Sequence, residues 1–217
     1  MMMRSKLDGQ LLLLKQEMIT MGMLCENAIS RVSKALFLPE AAIGEDVKDL
    51  YEVISHKEKE IENLCLRLLL QQQPVAKDLR VVSSALKMIT DMKRIGEQSL
   101  DIAEILSLGE IHHIDERLSF SEMADEVKWM VTKSMDAFVK KDVELAKSVI
   151  KYDDKVDENF RKIKTNLIKL LKEAEPGKED ILDLAMIAKY FEKIGDHAGN
   201  IAKWVVFSIT GRREEGK

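Results

Sequence analysis

Aromatic residues and β-branched runs are scarce in this chain, which argues against a β-rich fold. Aromatics make up only 5% of the residues, whereas Leu, Lys, Glu, Ala and Met, which are common in helices, dominate. No apolar run approaches the roughly 20 residues that span a bilayer. The opening "MMMRSKLDG" is followed only by a short leucine run, without the small-residue cleavage site of a secretion signal. We therefore expect a helical protein that does not insert into a membrane.

The chain contains only two cysteines and no excess of positive charge. The two cysteines, Cys25 and Cys65, lie far apart on apolar stripes, which predicts buried free thiols in a reducing cytoplasm. The net charge is −4, with acids and bases interspersed. Because a nucleic-acid binder usually carries a basic stripe, we expect no nucleic-acid partner.

Proline occurs only between segments of helical periodicity. The three prolines are Pro39, Pro74 and Pro176, placed where a missing backbone N–H does least harm to a helix. Between them, apolar residues recur at steps of three and four over 11–32, 50–68, 88–106, 123–137, 145–163 and 191–205. Stripes of this length predict an all-α fold built from six long bundle helices.

The two halves of the sequence align with each other. "ITDMKRIGEQSLDIAE" (89–104) matches "AKYFEKIGDHAGNIAK" (188–203) at a spacing of 99, while the second and fifth segments align at 95 and the first and fourth at 109. Offsets that change only between segments are what differences in loop length produce. The pattern predicts two tandem three-helix bundles with a pseudo-twofold repeat, over 1–108 and 121–217, joined by a connecting segment at 109–120.

Acidic residues recur in register beside the apolar stripes. In "YFEKIGDHAGNIAKW" (190–204), three oxygen-bearing side chains stand four residues apart and share one helix face. In the second and fifth segments, Glu58 matches Asp153 and Glu62 matches Asp157. In the third and sixth segments, Glu97 matches Asp196 and Asp101 matches Asn200. Glu192 lies on the same face as Asp196 and Asn200. Two carboxylates at this spacing repel each other unless a cation is near. Lysine partners and a shared metal ion are both consistent with the pattern.

Two glycines interrupt the sixth stripe beside these acids. Gly195 and Gly199 each cost a helix up to about 1 kcal/mol relative to Ala. Close packing of a neighbouring helix is the commoner reason for such glycines, and it would also bring carboxylates of different helices together. If a metal binds there, hard oxygen ligands suit Mg, Ca, Mn or Fe better than structural Zn.

Other catalytic chemistry is sparse. His56 lies on a charged face and is expected to be solvated, and His197 is expected to point away from the Glu192–Asp196 face. The Glu-x-x-His spacing of di-iron bundle enzymes occurs once, at Glu110–His113, whereas those enzymes need it twice on core helices. The sequence contains no phosphate-cradling Gly-rich loop, no CxxC and no nucleophile elbow. These features do not favour an enzyme.

Three stretches together resemble the PhoU family, over nearly the whole chain: "QQQPVAKDLR" (71–80), "KRIGE…DIAE" and "EKIGDHAGNIAK". The resemblance implies a cytoplasmic, non-enzymatic adaptor, peripheral to the inner face of the membrane through its partners. It would link a phosphate ABC transporter to a sensor histidine kinase and repress the phosphate-starvation response. An accessory protein of a different phosphate transporter and a metal-binding helical scaffold are the alternatives.

The resemblance also implies metal sites, because several members bind multinuclear clusters through a Glu/Asp-x-x-x-Asp motif on the third helix of each repeat. The metal would be Fe, Mn, Mg or Zn. The second motif is intact as Glu192 and Asp196, followed by Asn200. The first departs from the pattern, since Lys93 stands where the family usually has an acid. The residues left to the first site are Glu97, Asp91 and Asp101, with Glu58 and Glu62 nearby.

Two further expectations concern packing. Pro74 suits the first turn of the third helix, Asp78 benefits from the positive end of the helix dipole, and Arg80 could pin this corner to a neighbouring acid.

A symmetric homodimer is expected, because it is the commonest oligomer of soluble proteins. Small residues available for its interface are Gly96, Gly195 and Ala198.

Overall fold

The computed structural model describes residues 2–38, 42–71, 75–108, 111, 114–173 and 179–214. Those residues form six helices and contain no strand. The helices are α1 (Met2–Phe37), α2 (Ile43–Gln71), α3 (Ala76–Ser107), α4 (Phe120–Lys140), α5 (Val143–Glu173) and α6 (Glu179–Thr210). The all-α prediction is confirmed, and each apolar stripe lies within one helix. No helix in the described ranges has the length and apolar character needed to cross a membrane.

The helices pack as two bundles of three, as the internal repeat predicts. Helices α1, α2 and α3 contact one another, and α4, α5 and α6 do the same. The bundles join where α3 packs against α6 and α1 packs against α4. Because α3 corresponds to α6 in the alignment of the halves, the joint pairs equivalent helices, as a pseudo-twofold arrangement requires.

The apolar stripes form the core. Met18, Met21, Ile54 and Ile61 are fully buried, as is most of the predicted set. Cys25 and Cys65 are buried free thiols, as predicted. Burial raises the pKa of each thiol to about 12, so both stay protonated and unreactive at neutral pH.

Polar residues that interrupt the stripes are satisfied locally. The Ser99 hydroxyl donates to the Ile95 carbonyl at 2.9 Å, and the Ser134 hydroxyl donates to the Val131 carbonyl at 2.8 Å. Asn159 donates to Glu126 at 3.2 Å. Because each of these three groups finds a partner, burying them does not disturb the helical packing.

Side chains also fix the turns of the second bundle. Lys141, with φ 56°, ends α4 in the left-handed conformation, and the Asp142 carboxylate accepts a hydrogen bond from the Leu145 N–H at 2.9 Å. Within the connecting segment, Arg117 forms salt bridges with Asp115 at 2.9 Å and with Glu173 of α5 at 3.0 Å. The connecting segment is thus tied to the end of α5.

Candidate functional site

The two glycines of α6 lie beside residues of α5. A Cβ atom at Gly195 would lie 3.1 Å from Val156 and 3.6 Å from a carboxylate oxygen of Asp153. At Gly199 a Cβ would meet only the Asp153 carboxyl group, at 3.8 to 4.0 Å. The Asp153 carboxylate of α5 therefore lies beside the backbone of α6, near the acids of that helix, and of the two glycines Gly195 is the one where an added Cβ would crowd a neighbour, Val156.

The acids of the second repeat repel one another. Burial raises the pKa of Asp153 to about 6, and the charges of Asp196 and Asp157 add to this effect. Burial also raises the pKa of Asp196, with Glu192 as the next cause and Lys189 opposing it. Four carboxylates from α5 and α6 thus share one electrostatic environment, as the aligned spacing predicts.

Two of the four carboxylates already have cationic partners. Glu192 pairs with Lys189 one turn away, and Asp157 pairs with Arg161 at 3.6 Å. Asp153 and Asp196 form no salt bridge with any residue that the structure describes. These two unpaired, mutually repelling carboxylates are the groups that a bound cation would stabilise most.

The first repeat replaces this arrangement with an ion pair. Lys93 of α3 donates to the Glu58 carboxylate of α2 at 2.8 Å, and this hydrogen bond raises the pKa of Lys93. Gly96 packs against Ile54 and Tyr51 rather than against an acid. Leu100 stands at the position that matches Gly199. The expected lysine–carboxylate contact is present, and at these two positions the first repeat has one glycine where the second has two.

The other predicted residues of the first site differ in their surroundings. Glu62 and Glu97 are exposed. Asp91 faces the second repeat, where its carboxylate lies 2.9 Å from His197 Nδ1. The pKa of Asp101 is raised by burial, then by Glu97 and Glu104, and is opposed by Lys193 of α6. Of the first set, Asp91 is thus in contact with His197 of the other repeat, whereas Glu97 lies close enough to Asp101 to raise its pKa.

His197 contradicts the sequence-based expectation. It does not point away from the acidic face but lines a cavity together with Asp196. Consecutive helical residues are about 100° apart, so both can border the groove where α3 meets α6. The prediction failed because it considered α6 alone and not the helix packed against it.

That cavity has a volume of about 370 Å³ and lies between α3, α5 and α6. Its walls include Arg94 and Gln98 of α3, Asp153 of α5, and Asp196, Asn200 and Lys203 of α6. Sequence reasoning missed Arg94 and Gln98. One signal was available, since Gln98 aligns with His197 at the spacing of 99, which places two polar side chains at equivalent positions of the paired helices.

The metal assignment stays a prediction. Within the described ranges, no group of three or more His, Cys, Asp or Glu side chains is arranged to hold a metal ion. The donors that α5 and α6 present are hard carboxylate oxygens, supplemented by the amide oxygen of Asn200. This chemistry suits Mg or Mn and is compatible with Fe.

Comparison with known proteins identifies the family. The PhoU domain model matches twice, over residues 18–106 and 120–205, once in each three-helix bundle. This chain belongs to the PhoU family. It is 32% identical over 215 residues to a phosphate-specific transport system accessory protein PhoU homolog of Clostridium acetobutylicum, with 98% of each chain covered. A homolog of Thermotoga maritima is 31% identical over 213 residues, covering 94% of this chain and 89% of that protein.

Solved PhoU structures share the fold. The crystal structure of PhoU from Pseudomonas aeruginosa superposes with a TM-score of 0.89 at 28% identity, covering 94% of this chain and 99% of that one. The phosphate transport system regulatory protein PhoU from Streptococcus pneumoniae gives a TM-score of 0.87 at 23% identity, with 96% and 99% covered. The two-bundle PhoU architecture thus extends over nearly the entire chain.

The corner that carries the PhoU-like "QQQPVAKDLR" sequence differs from expectation at one residue. Pro74 lies outside the described residues, and Asp78 stands in the first turn of α3, as expected. Arg80 forms no salt bridge with a described acid. Its side chain packs against Gly211, which follows α6 with φ +73°, at 3.4 to 3.6 Å from the position of an added Cβ. Arg80 therefore contacts the carboxyl end of α6, where the helix dipole favours a cation.

Proposed function

We propose that this PhoU-family protein is an accessory and regulatory protein of a phosphate transport system. In this role it links a phosphate ABC transporter to a sensor histidine kinase and represses the phosphate-starvation response. The observation that carries the proposal is similarity over 98% of both chains to a protein named for phosphate-specific transport. Because both repeats are covered, the similarity involves the whole two-bundle architecture rather than one shared segment.

An adaptor role agrees with the surface of the second bundle. Exposed apolar side chains lie where α5 ends and α6 begins: Ile168, Leu171, Leu182 and Met186. Leu182 is 70% exposed. Exposed apolar groups that cluster on a water-soluble bundle are typical of protein-binding surfaces. We place the protein in the cytoplasm, held at the inner face of the membrane by its partners, and assign it no enzymatic activity.

We also propose a divalent or multinuclear metal in the second repeat. Asp153, Asp157, Glu192 and Asp196 match such a group in donor chemistry, because they are oxygen donors whose mutual repulsion a cation would relieve. Two of the four have no cationic partner of their own among the described residues. The metal would order the α5–α6 face and supply positive charge there.

Deletion of the gene tests the regulatory role. In phosphate-rich medium the deletion should raise alkaline phosphatase expression or disturb phosphate uptake, and expression of the full chain from a plasmid should restore both. An increase in the enzyme with normal uptake would locate the role in signalling. If neither quantity changes, the regulatory proposal is wrong.

A further inference from the structure

The cavity between the two repeats contains a buried amide whose oxygen has no hydrogen-bond partner. Gln98 is only 8% exposed, and its side-chain oxygen forms no hydrogen bond. Native proteins rarely leave a buried polar atom unpaired, because losing its hydration costs free energy. Oxygen and nitrogen of an amide are assigned from their surroundings, so Gln98 can accept a hydrogen bond from a ligand or donate one to it.

Three cationic side chains face the same space. Arg94 of α3 and Lys193 and Lys203 of α6 line the cavity. None of them forms a salt bridge with another described residue, although Lys193 lies over the Tyr190 ring at 5.3 Å. In contrast, Lys189, which also acts on Asp196, is paired with Glu192. Positive charge from both repeats is therefore available to an anion.

The acids of the cavity restrict which anion fits. Asp153 and Asp196 line it together with the three cations, and an ionised carboxylate can only accept hydrogen bonds. A fully ionised oxyanion such as sulfate would be repelled by them. Hydrogen phosphate still carries a proton at neutral pH, so it can donate to a carboxylate while its other oxygens accept from cations and amides.

We propose that this cavity binds inorganic phosphate when no metal occupies Asp153 and Asp196, held by Arg94, Lys193 and Lys203 and oriented by Gln98 and a carboxylate of α5 or α6. The choice of phosphate among protonated oxyanions rests on the proposed function. The ligand would contact α3 of the first bundle and α6 of the second. Because binding stabilises the conformation that binds, phosphate would favour one relative position of the two repeats. A partner protein that recognises this position would then respond to the phosphate concentration.

Titration calorimetry on the full chain tests this proposal, with a chelator present so that no carboxylate-bound metal can hold the anion. Phosphate should bind with one site per chain, and sulfate and O-phosphoserine should bind more weakly. Arg94→Ala and Lys203→Ala should each weaken phosphate binding by roughly tenfold to a hundredfold, as loss of a charge-assisted hydrogen bond does. Arg67→Ala is the matched control, because Arg67 is exposed on α2 outside the cavity.

Two conservative variants test the roles of the amide and the acid. Gln98→Leu keeps the volume but removes the hydrogen bond, so it should weaken phosphate binding without lowering the melting temperature. Asp196→Asn should improve sulfate binding relative to phosphate.

Four results would overturn the proposal: no phosphate binding, equal losses in Arg67→Ala and Arg94→Ala, equal affinity for O-phosphoserine, or binding that appears only when Mg²⁺ is added. Loss of phosphate binding would leave the deletion phenotype unaffected, so this inference and the proposed function can fail separately.

Discussion

At the scale of single residues, one substitution separates the two repeats. Lys93 donates to Glu58 in the first repeat, whereas Glu192 stands at the equivalent position of the second. An ammonium group stabilises a neighbouring carboxylate and repels an incoming divalent cation. The two faces therefore share an alignment but differ in the charge that they offer to a metal.

From this difference we expect the second repeat to hold metal more tightly. Asp196→Asn should remove most of the bound metal, and the matched variant Glu97→Gln should remove less. Elemental mass spectrometry of protein purified without a His-tag measures both. Added Mn²⁺ or Mg²⁺ should raise the melting temperature of the parent but hardly that of Asp196→Asn. Equal metal content in parent and Asp196→Asn would show that this face is not the site.

The raised pKa of Asp153 predicts a pH dependence of stability in the metal-free protein. Its pKa is about 6 in the folded state, against about 3.9 for an unperturbed Asp. The folded state therefore holds its proton more tightly, and the contribution of Asp153 to the free energy of unfolding falls as pH rises from about 4 to about 6. Asp153→Asn should thus raise stability at pH 7 relative to the parent, and the difference should disappear near pH 4.

Urea unfolding in a chelator measures this effect. Asp49→Asn is the control, because Asp49 is exposed on α2 in the first repeat, away from Asp153. A stability difference between parent and Asp153→Asn that stays constant from pH 4 to pH 7 would contradict the burial of a charged Asp153.

At the scale of helices, the sequence predicts what depends on local periodicity. The stripe through Met18 and Met21 and the one through Ile54 and Ile61 specify core-facing helices, because a 3.6-residue period identifies a buried face without knowledge of the partner. The carboxylates of α5 and α6 were also predictable, since the alignment of the halves places them in equivalent positions.

Features that depend on how helices meet were not predictable. The Asp91–His197 contact joins α3 to α6, and the cavity of Gln98 exists only when those helices pack at this register. Likewise, Arg80 packs on Gly211 instead of an acid, which no property of the segment containing Arg80 indicates. Such contacts are set by tertiary packing, on which residue spacing within one helix carries no information.

The glycines of α6 give a prediction at this scale. Gly199→Ala should raise the free energy of unfolding by up to about 1 kcal/mol, the helix propensity difference, because its methyl group would meet the Asp153 carboxyl at ordinary contact distances of 3.8 to 4.0 Å. Gly195→Ala should gain less or lose stability, since its methyl group would lie 3.1 Å from Val156. Chemical denaturation of both variants measures the difference. A larger gain at Gly195 than at Gly199 would refute this account of the packing.

At the scale of the whole molecule, packing within one chain limits where a second copy can bind. Gly96 packs against Ile54 and Gly195 against Val156, while Ala198 is fully buried. The expectation that these small residues form an interface between copies is therefore wrong, because they mediate packing within one chain. A homodimer would need a surface that a single chain leaves exposed.

We still expect a homodimer, and the exposed apolar residues near the adjoining ends of α5 and α6 are one surface that it could use. Burying Leu182, which is 70% exposed, would remove apolar area from water at a gain of about 25 cal/mol per Å². Light scattering at micromolar concentration should report a mass near twice 24.8 kDa. Leu182→Ser should shift the equilibrium toward monomer, whereas Leu12→Ser, at a similarly exposed leucine of α1, should not. A parent protein that is monomeric under these conditions would refute the dimer, and equal dissociation by both variants would place the interface elsewhere.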